Sequence, residues 1–164
     1  MIVLRIIGIG SPSGDDQAGW LVARELQRMR LIERLPCRTS IIALDRPGVG
    51  LLQHLTGVDL LVLVDAMRSG APPGTIHRIE NLQCIEPDRS VSSHGMGVAS
   101  ALELGRALGA LPPSVIVYAI ECDSMMADSG PTGLVVAAAS ALAGTIARDL
   151  QQKFAVSACP GLAS

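Results

Sequence analysis

Short unbroken apolar runs alternate along this chain with longer stretches in which apolar residues return every third or fourth position. Residues 2–7 form the first run, rich in Ile and Val and closed by Gly8, which predicts a buried strand. Residues 17–35 predict an amphipathic helix: Ala18, Val22, Leu26 and Met29 share one side, Arg24, Glu25, Arg28 and Arg30 the other, and Pro36 is the stop. A second strand is expected at 40–44, then the turn Asp45-Arg46-Pro47-Gly48 and a short helix over 49–55 with Gly57 as its C-cap. Residues 59–64 read as the central strand, with Asp65 directly after it. Pro72-Pro73-Gly74 marks a turn, and 75–79, with Thr75, His77 and Arg78, an edge strand.

Residues 81–93 lack periodicity and read as a loop, followed by a helix over 95–108 capped by Ser92 or Ser93. Residues 114–121 predict a strand, 122–131 a polar loop, and 133–150 a last, core-facing helix. The order βαβαββαβα implies one α/β domain over residues 1–156, with a mostly parallel sheet, helices on both faces, and a flexible tail at 157–164.

Composition narrows this further. A chain of 164 residues, 49% hydrophobic, buries a proper core, and with 2% aromatic residues that core must be aliphatic. The net charge of -2 and the absence of a long basic run argue against a nucleic-acid partner. The apolar N-terminal run is too short for a membrane span, so no membrane partner is expected. Cys37, Cys84, Cys122 and Cys159 are widely spaced and form no C-x-x-C pair; four reduced thiols in a cytoplasmic protein is the expectation.

The chemistry centres on the loop Gly8-Ile9-Gly10-Ser11-Pro12-Ser13-Gly14, which ends in Asp15-Asp16 where a helix begins. Its glycines suit a tight strand-to-helix crossing. Two carboxylates at a helix start disfavour a phosphate, which speaks against a dinucleotide-binding loop despite Gly8, Gly10, Gly14 and the acid Asp45 after strand two. Asp65 and His94 lie at two further strand-to-helix passages. In a parallel sheet the three passages meet at the carboxyl edge. Two carboxylates and an imidazole suit a borderline divalent ion with open positions. Helix capping by Asp15 or Asp16 and a turn role for Asp65 are the plain alternatives. His54 and His77 read as structural. No G-x-S-x-G elbow supports serine chemistry, and no cysteine has a distinctive setting.

These residues resemble the hydrogenase maturation endopeptidases. The likeness is carried by Gly8-Ile9-Gly10-Ser11, by Asp15-Asp16-Gln17-Ala18-Gly19, by Val62-Leu63-Val64-Asp65-Ala66, by Ser92-Ser93-His94-Gly95-Met96-Gly97 and by Gly130-Pro131-Thr132, in order from residue 2 to about 150. The chain departs from the family pattern at Ser11, where Asn is usual, and in the loop from Asp45 to Gly50, where a D-G-G-T/S type sequence is usual. The resemblance implies a three-layer α/β/α sandwich of the phosphorylase/hydrolase-like type. It implies Asp16, Asp65 and His94 as the metal-contacting and catalytic residues of an aspartic-type endopeptidase. The partner implied is a hydrogenase large-subunit precursor whose C-terminal extension is removed. Nickel is carried by that substrate, with no permanent metal in the protease, which is expected to be a monomer or weak homo-oligomer. A non-catalytic precursor-binding or nickel-chaperone paralogue is the alternative.

Overall fold

The computed structural model describes residues 1–80, 97–123 and 129–157. Five strands form one sheet: β1 (Val3–Gly10), β2 (Arg38–Asp45), β3 (Leu60–Met67), β4 (Ile76–Ile79) and β5 (Ser114–Glu121), in the spatial order β2-β1-β3-β5-β4. β2, β1, β3 and β5 run parallel, and β4 pairs antiparallel with β5 at one edge. Helices α1 (Ala18–Arg28) and α3 (Gly133–Ser157) cover one face. Helix α2 (Val98–Ala107) and a 3-10 segment, Gly48–His54, cover the other. The fold is therefore the expected α/β/α sandwich with a mostly parallel sheet.

The two cores follow from side-chain alternation along the strands. Leu60, Val62 and Val64 of β3 face α1 and α3, while Leu61 and Leu63 face the 3-10 segment and α2. A strand covered on both sides must be apolar throughout, and β3 is buried from Leu60 to Ala66. Asp65 is the exception in that run. Its place in the alternation puts it on the same face as Leu61 and Leu63.

Several expected boundaries move. The long first helix is instead α1, which stops at Arg28; Arg30 then takes a left-handed conformation (φ 55°) and Leu31–Arg34 continue as a 3-10 turn. Periodic apolar residues carried the pattern past a break that backbone geometry imposes. The helix expected at 49–55 is the 3-10 segment Gly48–His54. β1 runs on to Gly10, so Gly8 lies inside the strand. β3 runs on to Met67, so Asp65 is a strand residue and not a turn residue. Helix α2 starts at Val98 with Gly97 in the cap position, in place of a serine. α3 continues to Ser157, into the expected tail. The expected loop at 81–93, the loop residues 124–128 and the tail residues 158–164 lie outside the described residues.

Two glycines decide how close α1 comes to the sheet. A Cβ at Gly8 would stand 2.0 Å from the carbonyl oxygen of Gly19. A Cβ at Gly19 would stand 2.2 Å from Ile9 O and 2.4 Å from Val64 O. Helix backbone thus rests directly on strand backbone, over the seam between β1 and β3, with neither side able to give way. Only Gly14, with φ 48°, needs the left-handed freedom expected of the loop glycines; Gly8 and Gly10 are required for closeness. We expect Gly19→Ala to destabilise the fold by about 3 kcal/mol or more, since a methyl would collide with two fixed carbonyls. Gly144→Ala, inside α3 with Arg148 Nη1 as its nearest neighbour at 3.6 Å, should instead stabilise by up to ~1 kcal/mol. Urea midpoints of the two variants test the contrast.

Candidate active site

The chain leaves β1 at Gly10 and reverses within six residues. Ser11, which is buried, donates its N–H to Asp16 O at 3.3 Å, and Asp16 donates its own N–H to Ser13 O at 3.0 Å. The 3-10 turn Gly14–Gln17 then carries Asp15 and Asp16 into α1. Because α1 sits on bare backbone, both carboxylates are pressed inward: Asp15 is 0% exposed and Asp16 2%.

The two aspartates have different surroundings. Asp15 Oδ1 accepts a 2.6 Å hydrogen bond from the N–H of Thr132, just ahead of α3, and Gly14 N–H donates to Ser129 O at 3.1 Å. Asp15 therefore ties the first loop to the start of the last helix, where a negative charge is favoured. Its Oδ2 is buried and accepts no hydrogen bond among the described residues. Asp16 instead belongs to the β1–β3 seam. Its charge is one of the influences on Asp65, which lies two residues from the end of β3.

Asp65 is almost fully enclosed, and burial pushes its carboxyl up from an ordinary 3.8 to about 7. The N–H of Ala66, donated to Oδ1 at 2.8 Å, works against that rise, and the charge of Asp16 adds to it. β1 and β3 are neighbours whose chains depart to opposite sides of the sheet, β1 through α1 to β2 and β3 toward β5. That junction is the topological switch point where open α/β sheets gather functional groups. Thus Asp16 and Asp65 come to the same carboxyl edge. His94 lies outside the described residues.

Three neighbours were not singled out as site residues by the sequence. Glu121, the last residue of β5, is 1% exposed; it accepts hydrogen bonds from Ser69 N–H at 2.6 Å, Ser69 Oγ at 2.9 Å and Gly70 N–H at 2.9 Å. It therefore fixes the chain just beyond Asp65. His77 Nε2 stands 3.4 Å from Glu121 Oε2 and makes no hydrogen bond among the described residues. Cys122 donates its S–H to Asp15 O at 3.5 Å. Burial first, then the charges of Asp15, Asp16, Asp65 and Glu121, push its thiol up to about 12, so it stays protonated and is no nucleophile at neutral pH. The only signal in the sequence for Glu121 was an acid closing an apolar strand, the same signal that marked Asp65.

The outer wall is the turn after β2. Asp45 pairs in register with Gly10, and Arg46 donates its N–H to Gly10 O at 3.1 Å. Arg46 has φ 42°, a left-handed conformation for a side-chain-bearing residue. Its guanidinium meets Asp45 through Nε at 2.5 Å and Nη2 at 3.2 Å. The Trp20 indole N–H, donated to Leu44 O at 2.8 Å, holds this turn against α1.

The sequence profile of the hydrogenase maturation protease family (HycI) matches residues 21–148, a span that contains Asp65 and His94. No curated protein sequence shows a significant match. Among solved structures, the hydrogenase maturating endopeptidase HybD from E. coli superposes with a TM-score of 0.76 at 22% identity, over 93% of this chain and 94% of that one. The NiFe hydrogenase maturation protease HycI from Thermococcus kodakarensis KOD1 gives 0.67 at 25% identity, over 90% and 92%. The hydrogenase 2 maturation peptidase from a Thaumarchaeota archaeon gives 0.66 at 22% identity, over 92% and 98%.

The raised pKa of Asp65 has a consequence for stability. The folded chain holds a proton on this carboxyl between about pH 4 and 7 that the unfolded chain has released, so stability falls as pH rises through that window. Asp65→Asn removes the penalty. We expect the variant to match the wild type near pH 4 and to exceed it above pH 7 by at most roughly 4 kcal/mol, as three units at ~1.4 kcal/mol each allow. Denaturant unfolding in metal-free buffer across pH 4 to 8 measures it; a constant difference at all pH would show that Asp65 carries an ordinary pKa.

Proposed function

Because this chain belongs to the hydrogenase maturation protease family and is thus a peptidase, we propose that it removes the C-terminal extension from the large-subunit precursor of a nickel–iron hydrogenase, and that the nickel already held by the precursor is what it recognises. The observation that carries this reading is the enclosure of Asp16 and Asp65 at one edge of the sheet, where burial and the charge of Asp16 make ionisation of Asp65 harder.

A permanent active-site carboxylate pair would ordinarily be solvated or matched by a cation. Here burial leaves Asp65 protonated up to about neutral pH, so the isolated protein limits its own negative charge. A divalent ion arriving with the substrate supplies the missing counter-charge and displaces the proton. With His94 as a third donor, the set is two hard oxygens and one nitrogen, which matches nickel without forming a closed structural site. Substrate docking is then conditional on the metal, because a nickel-free precursor brings no charge to the pair. The ion's chemistry at that point is to anchor the precursor and orient the peptide segment beside it.

The protein's own residues supply rigidity. Asp16 is fixed through the Ser11 and Ser13 backbone, and Asp65 by Ala66 N–H and the strand around it. Such preorganisation lets a small donor set position a large partner.

Asp16→Asn keeps shape and removes charge, so its fold should persist while processing falls at least about a hundredfold, the scale of a misplaced substrate. His94→Ala should behave likewise. Intact masses of nickel-loaded and nickel-free precursor, each incubated with purified protein, read the result. Equal cutting of both precursors would exclude nickel as the recognition element.

A further inference from the structure

We propose that Arg46 is a carboxylate-binding residue at the mouth of the site, which engages an anionic group of the precursor's C-terminal extension; the proposal rests on the reading of this chain as a precursor-processing peptidase.

The argument begins with the backbone. Arg46 adopts φ 42°, which costs any residue with a Cβ and which glycine adopts freely. Pro47 follows, and a residue before proline is further biased toward extended backbone. The position thus suits glycine, yet it carries the largest cation. Its contact with Asp45 does not explain this. Both side chains are about half exposed, and an exposed ion pair between adjacent residues contributes little. Strained conformations of this sort persist where surrounding structure enforces them, and they concentrate at ligand-binding turns.

The enforcing contact also gives the location. Arg46 N–H is bonded to Gly10 O, the residue from which the Asp15-Asp16 loop departs. The guanidinium lies close enough to Asp16 for that charge to act on it, behind the stronger hydrogen bond and charge of Asp45; together they raise its already high pKa. Arg46 is therefore a permanent cation beside a carboxylate assigned to substrate metal. Asp45 uses Nε and Nη2, two of the five guanidinium donors, so the fork can accept a second carboxylate.

Docking changes the balance. Once Asp16 is committed to a divalent ion, Arg46 faces a centre that has become more positive. An anion delivered by the same substrate restores neutrality and completes the guanidinium's hydrogen bonding. The chemistry is that of a carboxylate, which the extension could present either as an Asp or Glu side chain or as its free C-terminus.

The test uses Arg46→Gly and Arg46→Gln with three nickel-loaded precursors: unaltered, with the acidic residues of the extension changed to amides, and with the C-terminus blocked as an amide. Arg46→Gly should be at least as stable as wild type, because glycine accepts φ 42°, yet KM on the unaltered precursor should rise about tenfold with little change in kcat. Arg46→Gln should show the same rise. The effect should disappear on whichever altered precursor lacks the recognised carboxylate, which identifies its source. An unchanged KM, or an equal rise on all three precursors, would overturn the proposal. Fluorescence anisotropy of a labelled extension peptide reports binding without cleavage: affinity lost in both Arg46 variants supports the proposal even if the peptidase reading fails, and unaltered affinity contradicts it.

Discussion

Everything distinctive about this molecule depends on helix α1 touching the sheet through bare backbone. Gly8 and Gly19 remove the side chains that normally hold a helix off a sheet, and the carbonyls of Ile9, Gly19 and Val64 fill the gap. The consequence reaches the site at once. A helix lowered onto the β1–β3 seam draws the 3-10 turn that precedes it inward, so Asp15 and Asp16 in that turn become buried. On the other face of β3, Asp65 is enclosed as well, and burial raises its pKa.

Burying acidic groups this way requires compensation, and the chain distributes it unevenly. Glu121 receives three hydrogen bonds and a histidine neighbour. Asp15 receives the amide at the start of α3. Asp65 receives one bond, from the next residue's amide, and is the group whose pKa is lifted to near neutrality. The carboxyl with the raised pKa thus stands at the switch point of the sheet, at the same edge as Asp16. Such a distribution sets the heavily hydrogen-bonded Glu121 apart from the carboxyl whose ionisation burial opposes.

The wall beside α1 is held largely by backbone. Arg46 donates its N–H to Gly10 O and Trp20 its indole N–H to Leu44 O, while the Arg46 guanidinium meets Asp45. Trp20 fastens the end of β2 to α1, so the mouth of the site is tied to the helix that follows directly on the Asp16 turn. A substrate contact in that turn would therefore be registered directly against the carboxylate pair.

Much of this was legible in the chain. Apolar runs identified the four parallel strands, because a strand covered on both sides must be apolar at consecutive positions; the polar residues of 75–79 marked β4 as an edge, and the helices between implied the sandwich. Asp65 was visible as the acid that closes the apolar run, although its place inside β3 rather than in a turn was not. The end of α1 was not legible, since apolar periodicity persists through Leu31 while the break is a backbone event at Arg30. The chemistry of two adjacent aspartates did not separate Asp15 from Asp16 either; the family resemblance singled out Asp16, and only the tertiary structure shows their different partners, with Thr132 N–H set against Asp15 and the β1–β3 seam beside Asp16. Sequence records which groups are present and how they alternate; burial and long-range partners, which fix the charge of a carboxylate, exist only once distant segments meet.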